Sequence, residues 1–187
     1  MRRLLLVRHA ATGATRVGAF GRDEGLDPRG RDAAAALAGR RPRRRQVVVS
    51  PARAARETAA AAGLAVDRVD AALADCDAGA WAGRSLRDVH RDDPLGAVAW
   101  LTDPDAAPHG GESLRAVLDR VAGWLTGLAG GDGAVVAVTH AAPIRAALVH
   151  ALGAPAAALW RIDVAPLSIT ELHASGGGWT VARVNAR

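Results

Sequence analysis

Three short apolar runs, each ending abruptly at a polar residue, constrain this chain more than any other feature: Leu4-Leu5-Leu6-Val7, Val47-Val48-Val49 and Ala134 to Val138. Continuous runs of this kind, rather than alternating ones, belong to strands buried on both faces. Between them lie segments with helix signals. Asp27-Pro28 offers an N-cap and a first-turn proline ahead of a helix running to about Gly39, and Ser50-Pro51 repeats that signature before an alanine-rich helix ending near Gly63. Gly111-Glu112-Ser113 opens a long amphipathic helix to about Leu128, and Pro143 to Leu152 reads as a helix directly after the third run. Leu167 to Leu172 and Trp179 to Val184, joined by Gly176-Gly177-Gly178, read as a terminal hairpin. Strands alternating with helices predict an α/β fold, a three-layer α/β/α sandwich with a mostly parallel central sheet.

Gly13 to Gly25 is polar and glycine-rich and carries no helix signal. From about 73 to 111 the chain is richer in Gly, Pro, Asp and Trp, with short helical pieces around Ser85 to His90 and Leu95 to Leu101. That segment is expected to be an insertion covering a site.

Composition excludes several functions. A chain of 187 residues that is 50% hydrophobic closes one core, so one domain over 1–187 is expected. Charged residues make up 23% and mean hydropathy is +0.06, which fits neither a disordered chain nor a membrane protein. The start, Met1-Arg2-Arg3-Leu4, resembles a signal peptide, but Arg8 and His9 cut the apolar run short, and the single cysteine, Cys76, suits a reducing compartment. A cytoplasmic protein is expected.

The net charge of +5 raises the question of nucleic acid. All 24 basic residues are arginine, however, and with 45 alanines they point to the codon usage of a GC-rich genome. The densest run, Arg40-Arg41-Pro42-Arg43-Arg44-Arg45, lacks interleaved aromatics and reads as a solvated loop. Neither nucleic acid nor membrane is an expected partner. With no lysine, no Walker A loop can be written.

Ligands of open α/β sheets bind outside the carboxyl ends of strands. Here one strand ends in Arg8-His9, one in Ser50 followed by Arg53 and Arg56, and one in Thr139-His140. Arginine forks and helix N-termini at matching ends describe a phosphate pocket, in which a neutral imidazole can attack phosphorus. His90, His109, His150 and His173 show no ligand spacing, so no metal is expected. Cys76 lacks the arginine six residues later that a cysteine phosphatase loop needs, since Ala82 stands there, and reads as a buried small side chain.

At these residues the sequence resembles the histidine phosphatase superfamily, the phosphoglycerate mutase-like group. Leu5-Leu6-Val7-Arg8-His9-Ala10-Ala11-Thr12 is similar to its Leu-Val-Arg-His-Gly-Glu-Thr signature, with Ala10 and Ala11 replacing Gly and Glu. Leu26 to Gly30, Ser50-Pro51 through Glu57-Thr58-Ala59, Leu73 to Gly83, Gly110 to Ser113 and Val138 to Ala141 follow in family order.

The resemblance implies that His9 is the nucleophile, Arg8 a phosphate ligand and His140 a second group stabilising the transferring phosphoryl. It implies Asp75, where the family usually has glutamate, as the acid that protonates the leaving oxygen. The phosphate-binding arginine of the family falls at Ala54 here, so Arg53, or else Arg56, is expected to replace it. Glu112 reads either as a second acid or as a first-turn glutamate favoured by the helix dipole. Thr15, Trp81 and Glu112 are candidate substrate contacts. Trp81, Trp100 and Trp160 either wall a pocket or fill core, with Trp81 the first choice for the wall. The implied activity is cofactor-independent and metal-independent hydrolysis of a small phosphomonoester through a phosphohistidine on His9. The alternatives are a mutase-type phosphotransferase and a catalytically weakened phospho-ligand binder. Sugar phosphates, nucleotides and α-ribazole phosphate remain open as substrates.

Overall fold

The structure, a computed structural model, describes residues 1–38, 45–175 and 178–186. Arg40 to Arg44 of the basic run and Gly176-Gly177 of the hairpin turn lie outside the described residues. The elements in chain order are β1 (Arg2–Arg8), α1 (Gly13–Val17), α2 (Pro28–Ala35), β2 (Arg45–Val49), α3 (Arg53–Ala61), β3 (Arg68–Val69), α4 (Leu86–Asp92), α5 (Pro94–Thr102), α6 (Leu114–Ala129), β4 (Gly133–Thr139), α7 (Ala141–Leu152), β5 (Ile169–Ser175) and β6 (Gly178–Ala186). Short 3-10 turns span Ala71–Leu73, Gly79–Trp81 and Ala156–Arg161.

The strands form one mixed sheet in the order β3-β2-β4-β1-β5-β6. The first four are parallel, β5 runs antiparallel to β1, and β6 antiparallel to β5. Side chains alternate across a strand, and that alternation builds the layers. Leu4, Leu6, Val135 and Ala137 face a core shared with α6 and α7, through Leu118, Val121, Leu125, Ile144 and Leu148. Leu5, Val7, Val47, Val49, Val136 and Val138 face the opposite side, against Ala55, Ala59 and Ala62 of α3 and its end. The mostly parallel α/β/α architecture read from the sequence is the one observed. Among the described residues no helix is long and apolar enough to cross a membrane.

Several boundaries differ, each for a local reason. α3 begins at Arg53 with Ala52 at its N-cap and no side-chain cap, so Ser50-Pro51 is not the capping pair its sequence suggested. The Ser50 hydroxyl lies against His140 and accepts the N–H of Ala52, outside the helix proper. α2 stops at Ala35 rather than near Gly39. α1 arises inside the stretch that carried no helix signal, because Thr12 and Thr15 form a reciprocal capping box and Gly18 closes the helix at φ 63. α7 starts at Ala141, placing Pro143 within the first turn, where its missing N–H costs nothing. β5 starts at Ile169 because Leu167 sits at φ +62, which a strand does not accommodate. The two-residue β3 is exposed and carried no periodicity to read.

Pairing places the strand ends level. Arg8 is in register with Thr139, and Val49 with Val138. The ladder continues one residue further, with His9 N–H donating to the Thr139 carbonyl at 2.8 Å and Ser50 N–H to the Val138 carbonyl at 3.0 Å. His9, Ser50 and His140 therefore leave the sheet at one edge.

Close backbone approach fixes the chain just beyond that edge. Gly30, in the first turn of α2, stands against Ala11, and a Cβ there would lie 2.3 Å from the Ala11 carbonyl oxygen. Gly30→Ala is expected to lower stability by about 1–3 kcal/mol, since a backbone atom cannot move aside as a flexible side chain can. The midpoint of urea unfolding measures it, and an unchanged midpoint would contradict this packing.

Candidate active site

At the carboxyl edge of the sheet lies a cavity of about 320 Å³ whose lining includes Arg8, His9, Thr12, Thr15, Asp75, His140 and Arg145. His9 is buried in its wall. Its Nδ1 lies 2.7 Å from the Ala10 carbonyl oxygen. A carbonyl only accepts, so Nδ1 carries the proton and the lone pair is on Nε2, which makes no hydrogen bond among the described residues. The Ala10 peptide is pinned in turn, because its N–H donates to Thr58 Oγ1 of α3 at 2.9 Å and that hydroxyl donates to the Ala54 carbonyl at 2.7 Å.

Burial, with His140 and Arg8 nearby, pushes the His9 imidazole down to about 4. A neutral ring at ordinary pH is the form that can act as a nucleophile. The two imidazoles stand edge to face with centroids 4.9 Å apart. His140 is likewise held below the usual histidine range, chiefly by burial and against the pull of Asp75. Its Nε2 is 2.8 Å from Ser50 Oγ, and its Nδ1 faces Asp75 Oδ2 at 3.7 Å.

The cationic wall consists of Arg8 and Arg145. Both guanidiniums sit below their ordinary range because burial disfavours the charge, against the pull of Asp75 and Asp163, and Arg145 adds to the lowering of Arg8. Arg8 donates through Nη1 to the Val164 carbonyl, but its Nε is buried with no partner among the described residues. Arg145 donates through Nε to the Ile162 carbonyl at 2.8 Å. Ala141 and Ala142, the first residues of α7, also line the cavity, and first-turn N–H groups have no acceptor within their own helix. The two arginines and the first turn of α7 form a positive stretch of wall that can receive an anion.

Asp75 is half exposed and lines the cavity. Its loop is anchored from both sides, by Thr139 Oγ1 donating to the Leu73 carbonyl at 2.6 Å and by Arg120, which reaches the carbonyls of Ala72, Ala74 and Asp75 at 2.8, 3.0 and 3.4 Å.

The remaining sequence candidates divide. Thr15 lines the cavity as the sequence suggested. Glu112 is not in the lining and instead grips Arg120 at both oxygens, 2.9 and 2.7 Å, so it supports the Asp75 loop from behind. Trp81 is only 3% exposed and belongs to the core, whereas Trp100 and Trp160 line the cavity. The expectation that Arg53 replaces the arginine absent at Ala54 is corrected. α3 makes no local shift, and Arg53 turns outward to Glu57 at 2.7 Å with its side chain 59% exposed. Glu57 also holds Arg31 Nη2 at 2.8 Å and the Leu26 N–H at 3.0 Å, so Arg53 is part of a clasp between α2 and α3. Arg56 is exposed on the same helix. Sequence reasoning passed over Arg145. The rule that drew attention to arginines just after a strand end would have found it five residues past His140. Cys76 also borders the cavity, but burial, with Asp75 and Glu112 adding to it, pushes its thiol up to about 12, the reverse of what a nucleophilic cysteine needs.

The sequence model of the histidine phosphatase superfamily, branch 1, matches residues 4–187. The chain belongs to that superfamily. A bifunctional protein of Mycobacterium tuberculosis is 40% identical over 186 residues, covering 93% of this chain and 51% of that protein. This histidine phosphatase chain thus spans about half the length of the first curated relatives it matches. Phosphoserine phosphatase 1 of Hydrogenobacter thermophilus is 31% identical over 184 residues, covering 92% of this chain and 87% of that one. Among solved structures, a mycobacterial glucosyl-3-phosphoglycerate phosphatase in complex with VO3 superposes with a TM-score of 0.85 at 30% identity, over all of both chains.

A buried neutral histidine links stability to pH. The unfolded imidazole takes up a proton near its ordinary value of 6.5, while His9 in the folded state stays neutral down to about 4. Its contribution is therefore fully present above about 6.5 and is lost as pH falls through that window. The melting temperature is expected to drop between pH 6.5 and pH 4, and less steeply in His9→Ala. Parallel pH profiles for the two proteins would contradict the buried neutral state.

Proposed function

We propose that this chain is a phosphatase that hydrolyses a small phosphomonoester through a phosphohistidine on His9, with no metal or other cofactor. The observation that carries this reading is the bond from His9 Nδ1–H to the Ala10 carbonyl, which leaves the Nε2 lone pair free in a cavity lined by two half-buried arginines.

In the first step Nε2 attacks phosphorus and the ester P–O bond breaks. Asp75, as the carboxylic acid, gives its proton to the departing alkoxide oxygen. Arg8, Arg145 and His140 hold the equatorial oxygens, and the first-turn N–H groups of α7 face the same charge. In the second step Asp75 as carboxylate takes a proton from a water molecule that attacks phosphorus. The P–N bond breaks, its electron pair returns to Nε2, and inorganic phosphate leaves. Asp75 suits the acid role better than Glu112, whose oxygens are both occupied by Arg120. The proposed setting is the cytoplasm, in keeping with one unpaired cysteine.

His9→Ala is expected to lose about 10³-fold or more in kcat with p-nitrophenyl phosphate and to trap no acid-labile phosphoenzyme in a rapid quench. Near-normal turnover by that variant would remove the mechanism. Phosphate recovered on an added acceptor alcohol rather than in solution would instead indicate a phosphotransferase. Asp75→Asn is expected to cost about 10² to 10⁴ with an alkyl phosphate and far less with p-nitrophenyl phosphate, whose leaving group departs unprotonated. Equal losses on the two substrates would take Asp75 out of that role. Because Arg8, Arg145 and the first-turn N–H groups of α7 supply the positive potential, EDTA is expected to leave the rate unchanged, and inhibition reversed by added metal would contradict this.

A further inference from the structure

Part of the cavity wall is aromatic. The chain has five tryptophans, one phenylalanine and no tyrosine, and Trp100, Trp160 and Phe20 all line this one cavity. Trp100 is almost fully buried and Trp160 is 36% exposed, their ring centroids 6.0 Å apart and their planes at 66°. The rings are braced from behind. Trp81 lies 6.1 Å from Trp100 and 5.9 Å from Phe20. His109 is wedged against Trp81 and Trp100 at 4.9 and 4.7 Å, and is itself fixed by accepting the Gly111 N–H on Nδ1 at 3.0 Å. Leu114 and Leu159 complete the apolar surface.

Besides Asp75 the lining carries two more carboxylates. Asp23 and Glu24 line the cavity. Burial opposes ionisation of Glu24, but N–H donors from Arg22 and its own backbone, with the Thr12 hydroxyl, outweigh it and hold the carboxyl below its ordinary range. The lining arginines among the described residues are Arg8 and Arg145, both of which the phosphoryl group takes up. A carboxylate on the substrate would meet two carboxylates and no remaining cation. A flat ring would meet rigid aromatic surface that loses little entropy on contact.

We infer that the substrate's alcohol presents a flat aromatic ring to the Phe20, Trp100 and Trp160 wall and carries no carboxylate. This rests on the phosphatase reading above and specifies which phosphomonoesters that site takes. It separates the chain from a site built for phosphoserine or a phosphoglycerate, each of which places a carboxylate beside the ester.

Two matched substrate pairs test the inference, with p-nitrophenyl phosphate as the reference. Adenosine 5′-monophosphate and ribose 5-phosphate share the same primary ester and sugar and differ in the flat base. The first is expected to have a kcat/KM about tenfold to a hundredfold higher, the range for one base stacked on aromatic side chains. In Trp160→Ala that ratio is expected to collapse toward one, while Trp160→Phe, which keeps a ring, retains most of it. A ratio near one in the parent protein, or one that survives Trp160→Ala, overturns the aromatic contact in favour of a hydroxyl-rich substrate. Phosphoethanolamine and phosphoserine differ in the carboxylate, and phosphoethanolamine is expected to be turned over faster. Phosphoserine equal to or better than its partner overturns the exclusion. If none of these esters nor p-nitrophenyl phosphate is hydrolysed, the phosphatase reading itself fails, whereas hydrolysis of p-nitrophenyl phosphate with flat ratios removes only the present inference.

Discussion

The Ala10 peptide is the point on which the site turns. Its carbonyl takes the Nδ1 proton of His9, and its N–H is held by Thr58 of α3. His9 in turn hangs from the end of β4 by its own N–H on Thr139. The backbone of two consecutive residues, His9 and Ala10, thus couples the strand that delivers the imidazole, the strand beside it and the helix α3. The proton on Nδ1 is assigned by this geometry, because a carbonyl oxygen offers no alternative role. Release of either partner would let the ring rotate or change tautomer, and the lone pair would no longer be aimed into the cavity.

Burying cations next to two neutral imidazoles is costly unless something compensates. Arg8 and Arg145 are each anchored to a backbone carbonyl, yet Arg8 Nε remains buried without an acceptor. Of the four buried side-chain polar atoms that lack a partner among the described residues, it is the one whose residue lines the cavity, where a ligand oxygen can take it. The level strand ends place α7 so that its N-terminus adds to the same potential, with no further cation needed from α3. This gives a physical account of Ala54. A small residue there packs with Ala10, Leu26 and Ala34, and the positive charge comes from the opposite side of the sheet through Arg145.

Residues that read as chemistry are in several places scaffolding. Glu112 holds Arg120, and Arg120 clasps the loop that presents Asp75. Glu57 gathers Arg53, Arg31 and the Leu26 N–H, fastening α2 to α3. In both clusters a carboxylate and an arginine satisfy one another, and none of Glu112, Arg120, Glu57 and Arg53 lines the cavity. Trp81 behaves in the same way, backing Trp100 and Phe20 rather than meeting the ligand.

By itself the sequence determined the layered α/β architecture and the level at which chemistry occurs. Buried-strand runs and helix signals act through local sterics and burial, and Arg8, His9 and His140 stand directly after the ends of those runs, whereas Asp75 follows no such run and was legible only through the family resemblance. Thr58 and Thr12 were equally present in the sequence, but a threonine in a helix or a turn has no signature until its partner is in place. Only the tertiary structure decided which arginine faces the cavity, because Arg53 and Arg145 occupy comparable positions after strand ends and differ in what lies within reach, Glu57 for one and the buried Ile162 carbonyl for the other. The same holds for the tryptophans. Their identity marks large apolar side chains, while the choice between core and cavity wall depends on packing among Trp81, Trp100, Trp160 and His109, residues up to 79 positions apart that no local pattern relates.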